Sequence, residues 1–230
     1  MKLLAFETST EACSVALSID GAIIERFEIA PRRHAELSLP WAGQLLADAG
    51  IARSQLDAIA VGRGPGAFTG VRLAIALAQG IALALDRPVV AVSTLAALAL
   101  RATGDRTIAA IDARMGEIYI GTFQRIGDEL HAASAEEVLR PELASLPDSG
   151  MWSGVGTGFS AGESALVKRL QGQLQSVDVH ALPHAADVAR LAVVAFARGE
   201  ATTAEKLEPA YLRHNVALTL EQQKAIRALR

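Results

Sequence analysis

Residues 3–27 read LLAFE-TSTE-ACSVALSI-DG-AIIERF. An apolar run of buried-strand length ends on an acid, Glu7, and a polar turn follows at Thr8–Glu11. This spacing predicts strands over 2–7, 12–19 and 22–29. Asp20-Gly21 is a two-residue hairpin signal, and Pro31 closes the third strand. The same grammar returns at 107–133: TIAAID, ARMG, EIYIGTFQR, then Gly127-Asp128 and ELHAA. Glu7 and Asp112 hold equivalent places at the ends of their first strands. From acid to hairpin turn the count is 13 residues (7 to 20) in one copy and 15 (112 to 127) in the other. Two unrelated β-meanders could give this pattern. A duplication predicts two similar α/β halves, divided at 1–103 and 104–230, that face each other with both acids at the cleft.

Outward from these runs, a helix is predicted over 38–49, with Trp41, Leu45 and Ala49 on one face. A strand follows at 57–61, and then the loop GRGPGAFTG at 62–70. A helix over 71–85 ends before Pro88, a strand covers 88–92, and Ser93-Thr94 opens a helix to about residue 101. In the second half, Ser134-Ala135-Glu136-Glu137 reads as a capping box opening a short helix. A strand at 151–155 runs into Gly154, Gly156, Gly158 and Gly162. Helices are expected over 185–198 and in the tail at 218–229, which could pack back on the first domain.

Composition narrows the function. Of 230 residues, 51% are hydrophobic and 20% charged, which excludes a disordered chain and supports a sizeable core. A net charge of −3 lacks the basic surplus of a chain that grips nucleic acid alone. One cysteine, Cys13, forbids an intramolecular disulfide and points to a reducing, cytoplasmic setting. The apolar stretch 71–85 contains Arg72 and Gln79 and falls short of about 18 residues, so no membrane span is expected.

The candidate sites are modest. Loop 62–70, with Gly62, Gly64, Pro65 and Gly66, could point backbone N–H groups at an anion or be a tight structural turn. It matches neither a Walker loop nor a Rossmann fingerprint. Glu7, Thr8, Ser9 and Asp112, with Gly156 and Gly158 near a base, could hold a metal–nucleotide complex such as ATP or ADP. Equally, each carboxylate could cap a turn. Among the histidines only His180 and His184 are close in sequence, with Pro183 between them. No HExxH, zinc-spaced Cys/His cluster or Gly-x-Ser-x-Gly elbow is present. No metal site is expected.

The run GRGPGAFTGVRLAIALAQGIALALDRPVVAVSTLAALA (62–99), with LLAFETSTEACSVAL, RRHAELSLP (32–40), IDARMGEIY (111–119) and EPAYLR (208–213), resembles the TsaB (YeaZ) family over nearly the whole chain. That resemblance implies a two-domain α/β fold of the actin/hexokinase/Hsp70-like (ASKHA) type with duplicated mixed-sheet halves. It implies an accessory role in adding a threonylcarbamoyl group to adenosine next to the tRNA anticodon. It also implies the partners TsaD, the catalytic paralogue, and TsaE, with tRNA reached only through the complex and a homodimer when the chain is alone. Where TsaD carries a metal-binding His-x-x-x-His, this sequence has Thr94 and Leu98, so no catalysis and no required cofactor are expected. The family usually carries Asp where Glu7 stands. Helices 34–49 and 70–85 are the expected partner surface, through His34, Leu37, Trp41, Leu45, Gly70, Ala74, Ala78 and Ala82. The alternatives are an autonomous ATPase or sugar-kinase-like phosphotransferase of the same fold, or a glycoprotease-like hydrolase.

Overall fold

The computed structural model of the chain describes residues 1–145 and 150–213. The expected tail helix at 218–229 lies outside the described residues. The first unit runs β1 (Lys2–Glu7), β2 (Ala12–Ile19), β3 (Ala22–Ile29), α1 (His34–Asp48), β4 (Ala58–Gly62), α2 (Phe68–Leu85), β5 (Val89–Val92) and α3 (Thr94–Ala99). The second runs β6 (Arg106–Arg114), β7 (Glu117–Ile126), β8 (Glu129–Ala132), β9 (Glu137–Leu139), β10 (Trp152–Val155), α4 (Ala161–Arg169) and β11 (Leu174–Asp178), and α5 (Ala185–Ala197) follows.

The duplication is visible in the topology. The first sheet has the order β3-β2-β1-β4-β5 and the second β8-β7-β6-β10-β11. In each, the first strand pairs antiparallel with the second and parallel with a later one, β4 or β10, and in the second sheet β9 adds a sixth strand on β7. This is an α/β fold of two mixed sheets built alike. The Asp20-Gly21 hairpin forms with both residues at positive φ, 49° and 93°, the backbone that such a two-residue turn needs.

Period-two alternation sets the layers of the first sheet. Leu4, Phe6, Val15, Leu17, Ile59 and Val61 face α1 and α2. The opposite face carries mostly alanine, with Ala5, Ala16, Ala58 and Ala60 beside Leu3 and Val90. It meets Ala185, Val188, Ala189 and Ala192 of α5. Small residues on both sides let α5 lie close to the sheet, so this helix returns across the chain to cover the first sheet. In the second unit, Ile108 and Ala110 face Phe159, Leu166 and Leu170. Ala109, Ile111, Phe123 and Val155 face Leu95, Leu98 and Ala99 of α3. Helix α3 is therefore the joint between the two units.

Three local expectations need correction. No helix opens at Ser134. Instead Ser134 Oγ accepts the Thr122 N–H at 3.2 Å and donates to the Ala135 carbonyl, and β9 pairs antiparallel with β7. Pro141 leaves too short a run for a helix, whereas the β7 edge beyond β8 offers unpaired backbone groups. Strand β11 and helix α4 were also not anticipated: β11, LQSVD, is polar and half exposed, and three residues of α4, Gly162 to Ser164, take left-handed φ. Finally, α2 begins at Phe68 and spans 18 residues, so by length and composition it could cross a membrane. Here one face, with Val71, Ala74, Ile75, Ala78 and Ala82, belongs to the core of the first sheet.

Candidate functional site

Glu7 ends β1 and is fully buried. Its Oε1 accepts the Ser9 N–H at 2.7 Å, and its Oε2 accepts the Thr94 hydroxyl at 3.1 Å. Burial pushes this carboxyl above the usual carboxylate range, and the bonds from Ser9, Thr94 and Thr8 offset part of that rise. Gly62 lies directly beside it: a Cβ there would stand 1.8 Å from Glu7 Oε2, so the carboxylate would have to move.

The polar turn and the glycine loop pack directly on each other. Thr8 donates its hydroxyl to the Gly70 carbonyl at 2.7 Å, and Ala67 N–H donates to the Ser9 carbonyl at 2.7 Å. A Cβ on Gly70 would lie 1.9 Å from Thr8 O, and one on Gly66 would lie 2.6 Å from Ser9 Cβ. Gly64, at φ 93° before Pro65, offers its carbonyl to Thr94 N–H at 2.9 Å. Gly66 and Gly70 serve close packing against the 8–9 turn, and Gly64 serves a left-handed backbone. Gly66 and Gly70 lie directly against Ser9 and Thr8.

Asp112 occupies the matching place in β6, but its setting differs. It is partly exposed, accepts the Arg114 N–H at 2.8 Å and pairs with the Arg114 guanidinium at 2.9 Å. Its own N–H donates to Thr157 Oγ1 at 3.1 Å. Glu7 and Asp112 share no hydrogen-bond partner among the described residues, so each braces its own turn. Gly156, at φ 106°, would put a Cβ 2.2 Å from Ala110 O, and Gly158 would put one 2.7 Å from Ala110 Cβ. What lies close to these glycines is strand β6.

The positions matching the metal-binding histidines do not fit a metal. Thr94 is fully buried with its hydroxyl committed to Glu7, and Leu98 is in the core that joins α3 to β6. Among the described residues no group of three or more His, Cys, Asp and Glu side chains is placed to hold a metal ion. Next to Thr94, Ser93 caps α3 by accepting the Ala96 N–H at 3.1 Å and donates its hydroxyl to Glu136 of the second unit. Burial pushes the Glu136 carboxyl up, with Ser93 and Arg63 pulling the other way.

The helical surface needs a correction. Ala74, Ala78 and Ala82 point into the sheet, as does Leu45 of α1, and Gly70 is sealed against Thr8. They cannot meet a partner, because small residues in register with a sheet are what allow a helix to approach it. His34, Leu37 and Trp41 stay partly exposed, and the His34 Nε2–H donates to the Thr10 carbonyl at 3.0 Å. The opposite face of α2 is both exposed and apolar: Phe68 (65%), Ala76, Gly80, Leu83 (57%) and Ala84, flanked by half-buried Leu73 and Leu77. The signal in the sequence was a helix apolar all round, of which a sheet can cover only one side.

The family model of TsaD, tRNA N6-adenosine threonylcarbamoyltransferase, matches residues 27–221. The tRNA threonylcarbamoyladenosine biosynthesis protein TsaB of Escherichia coli K12 is 43% identical, across 94% of this chain and 96% of its own. The chain belongs to the TsaB family. The TsaB of Haemophilus influenzae is 39% identical, across 94% and 95% of the two chains. Among solved structures, YeaZ from Pseudomonas aeruginosa superposes with a TM-score of 0.86 at 50% identity, covering 92% of this chain and 99% of that one. As a TsaB-family member with two alike mixed sheets, the chain has the ASKHA-like architecture that its sequence resemblance implied.

Proposed function

We propose that this TsaB-family chain is a noncatalytic, activating subunit in tRNA threonylcarbamoyladenosine biosynthesis, working in the cytoplasm. It docks the catalytic paralogue TsaD through the outer face of α2 and the adjoining part of α1. TsaE joins that assembly, and tRNA is met by the complex. Alone, the chain uses the same face to form a homodimer.

The observation that carries this reading is the exposed apolar stripe Phe68, Ala76, Gly80 and Leu83, flanked by half-buried Leu73 and Leu77, on a helix whose other side is core. Exposed apolar patches rimmed by polar residues mark interfaces, and Ala76 and Gly80, four residues apart, let a second helix approach closely. The match of the TsaD family model to residues 27–221 supports a partner built on the same plan, able to present an equivalent helix pair. The noncatalytic part rests on Thr94 and Leu98, which offer no metal ligand, and on the close packing of 66–70 against 8–9.

The test is a pair of arginine substitutions on one helix. Ala76→Arg, on the outer face, should weaken capture of TsaD by about tenfold or more while leaving the unfolding midpoint in place. Threonylcarbamoyl transfer by the reconstituted complex should fall in parallel. Ala78→Arg, on the inner face, should prevent folding. Undiminished TsaD binding by both Ala76→Arg and Leu83→Glu would refute the docking face. Transfer activity in the isolated chain would refute the noncatalytic role.

A further inference from the structure

The segment after α5 touches four separate parts of the molecule in sequence. Thr202 and Val89 exchange both backbone hydrogen bonds, at 2.9 and 2.8 Å, at the edge of the first sheet. Ala204 and Leu207 are buried in the core beneath α2, and the Gln79 side-chain amide donates to both their carbonyls, at 2.9 and 3.3 Å. Ala210 N–H then donates to the Arg63 carbonyl in the glycine loop at 2.8 Å. Tyr211 Oη accepts from Arg72 at 2.6 Å, and that guanidinium lies over the Phe68 ring, 3.2 Å from its centroid. Two residues on, Arg213 crosses to the second unit. It donates to the Ala113 carbonyl at 3.2 Å, pairs with Glu117 and reaches Met115 Sδ at 3.8 Å.

The place that Arg213 grips is unusual. Arg114, Met115 and Gly116 all take left-handed φ, at 63°, 58° and 77°. Two of these are not glycine, and such residues persist only where their surroundings over-determine them. Asp112 braces the turn through Arg114, and Arg213 holds both of its ends, Ala113 and Glu117.

We propose that residues 199–213 act as a strap that couples α2 of the first unit to the β6–β7 turn of the second, with Arg213 as the clasp that keeps this turn in its left-handed form. The strap is anchored at Thr202, Ala204 and Leu207, and its outer end is held between Tyr211 on α2 and Arg213 on the turn. Disturbance at the Phe68–Arg72–Tyr211 stack therefore reaches the turn through two residues of chain. This inference does not depend on which partner, if any, covers α2.

Hydrogen exchange on the full-length chain tests it. In Arg213→Gln, amides of 113–117 should exchange about tenfold faster or more while those of β1 and β4 keep their protection. Glu117→Gln removes the same ion pair from the other side and should act in the same direction, which covers the case that Arg213→Gln loosens the whole fold. Tyr211→Ala leaves in place the bonds that Arg213 makes to the turn, yet should speed exchange at 113–117 by about threefold or more. If Glu117→Gln leaves the turn as protected as before, Arg213 is no clasp. If Tyr211→Ala is felt only at 210–212, the strap transmits nothing and the proposal fails.

Discussion

Gly70→Ala probes the contact that closes the polar turn. The new methyl carbon would start 1.9 Å from Thr8 O and 3.0 Å from Thr8 C. A carbon–oxygen contact settles near about 3.3 Å, so the two main chains must part by about 1.4 Å. No rotamer relieves this, since the obstacle is backbone. That displacement breaks the buried Thr8 hydroxyl bond to Gly70 O and strains the Ala67 N–H bond to Ser9 O, each 2.7 Å long. Leaving such buried groups unpaired costs about 1–3 kcal/mol each. Against this, alanine in place of glycine favours the helix by about 1 kcal/mol at most, and less so in its first turn. The clash wins, with a net loss of about 3 kcal/mol. Urea unfolding followed by circular dichroism should show a midpoint lower by about 1 M at unchanged slope. Thr8→Val, which keeps the shape and removes the hydroxyl bond to Gly70 O, should lose about 1 kcal/mol. A Gly70→Ala protein within about 0.5 kcal/mol of the parent would show that the loop yields freely and that packing is not why glycine stands there.

Two further outcomes concern acids. Because burial raises the Glu7 carboxyl, the folded state binds more protons than the unfolded one, so stability falls as pH rises from about 4.3 toward the folded pKa. Glu7→Gln keeps the shape and removes the charge. It should flatten that slope and unfold no more easily than the parent at pH 7, and an unaltered slope would acquit Glu7. Glu25 behaves oppositely. Burial pushes it up, but bonds from His184 at 2.9 Å, Ser14 and the Ala186 N–H at the start of α5 bring it below the usual range. Its contribution is therefore present above about pH 4.3 and lost as pH falls through the lower folded value. Glu25→Gln should cost about 1–2 kcal/mol at pH 7 and nothing in acid, measured by thermal unfolding across pH.

The paired strand runs and their hairpin turns were legible from residue order, because period-two alternation and Asp-Gly turns act within a few residues of chain. So was the doubled plan. Elements that depend on a distant partner were not. Strand β9 exists because β7 has an unpaired edge, and three residues carry no period of their own. The Arg213–Glu117 pair and the Ser93–Glu136 bond join residues 96 and 43 positions apart, a relation that no local pattern encodes.

The glycine motif and α2 show the division most clearly. Sequence alone determined that 62–70 is a glycine loop leading into an apolar helix. Which atoms press on those glycines, and which side of the helix meets the sheet, were decided by tertiary packing. A helix apolar all round carries no mark of its inner face. The fold chose the alanine row, Ala74, Ala78 and Ala82, for the sheet, since short side chains permit the closest approach, and left Phe68, Ala76, Gly80 and Leu83 outside.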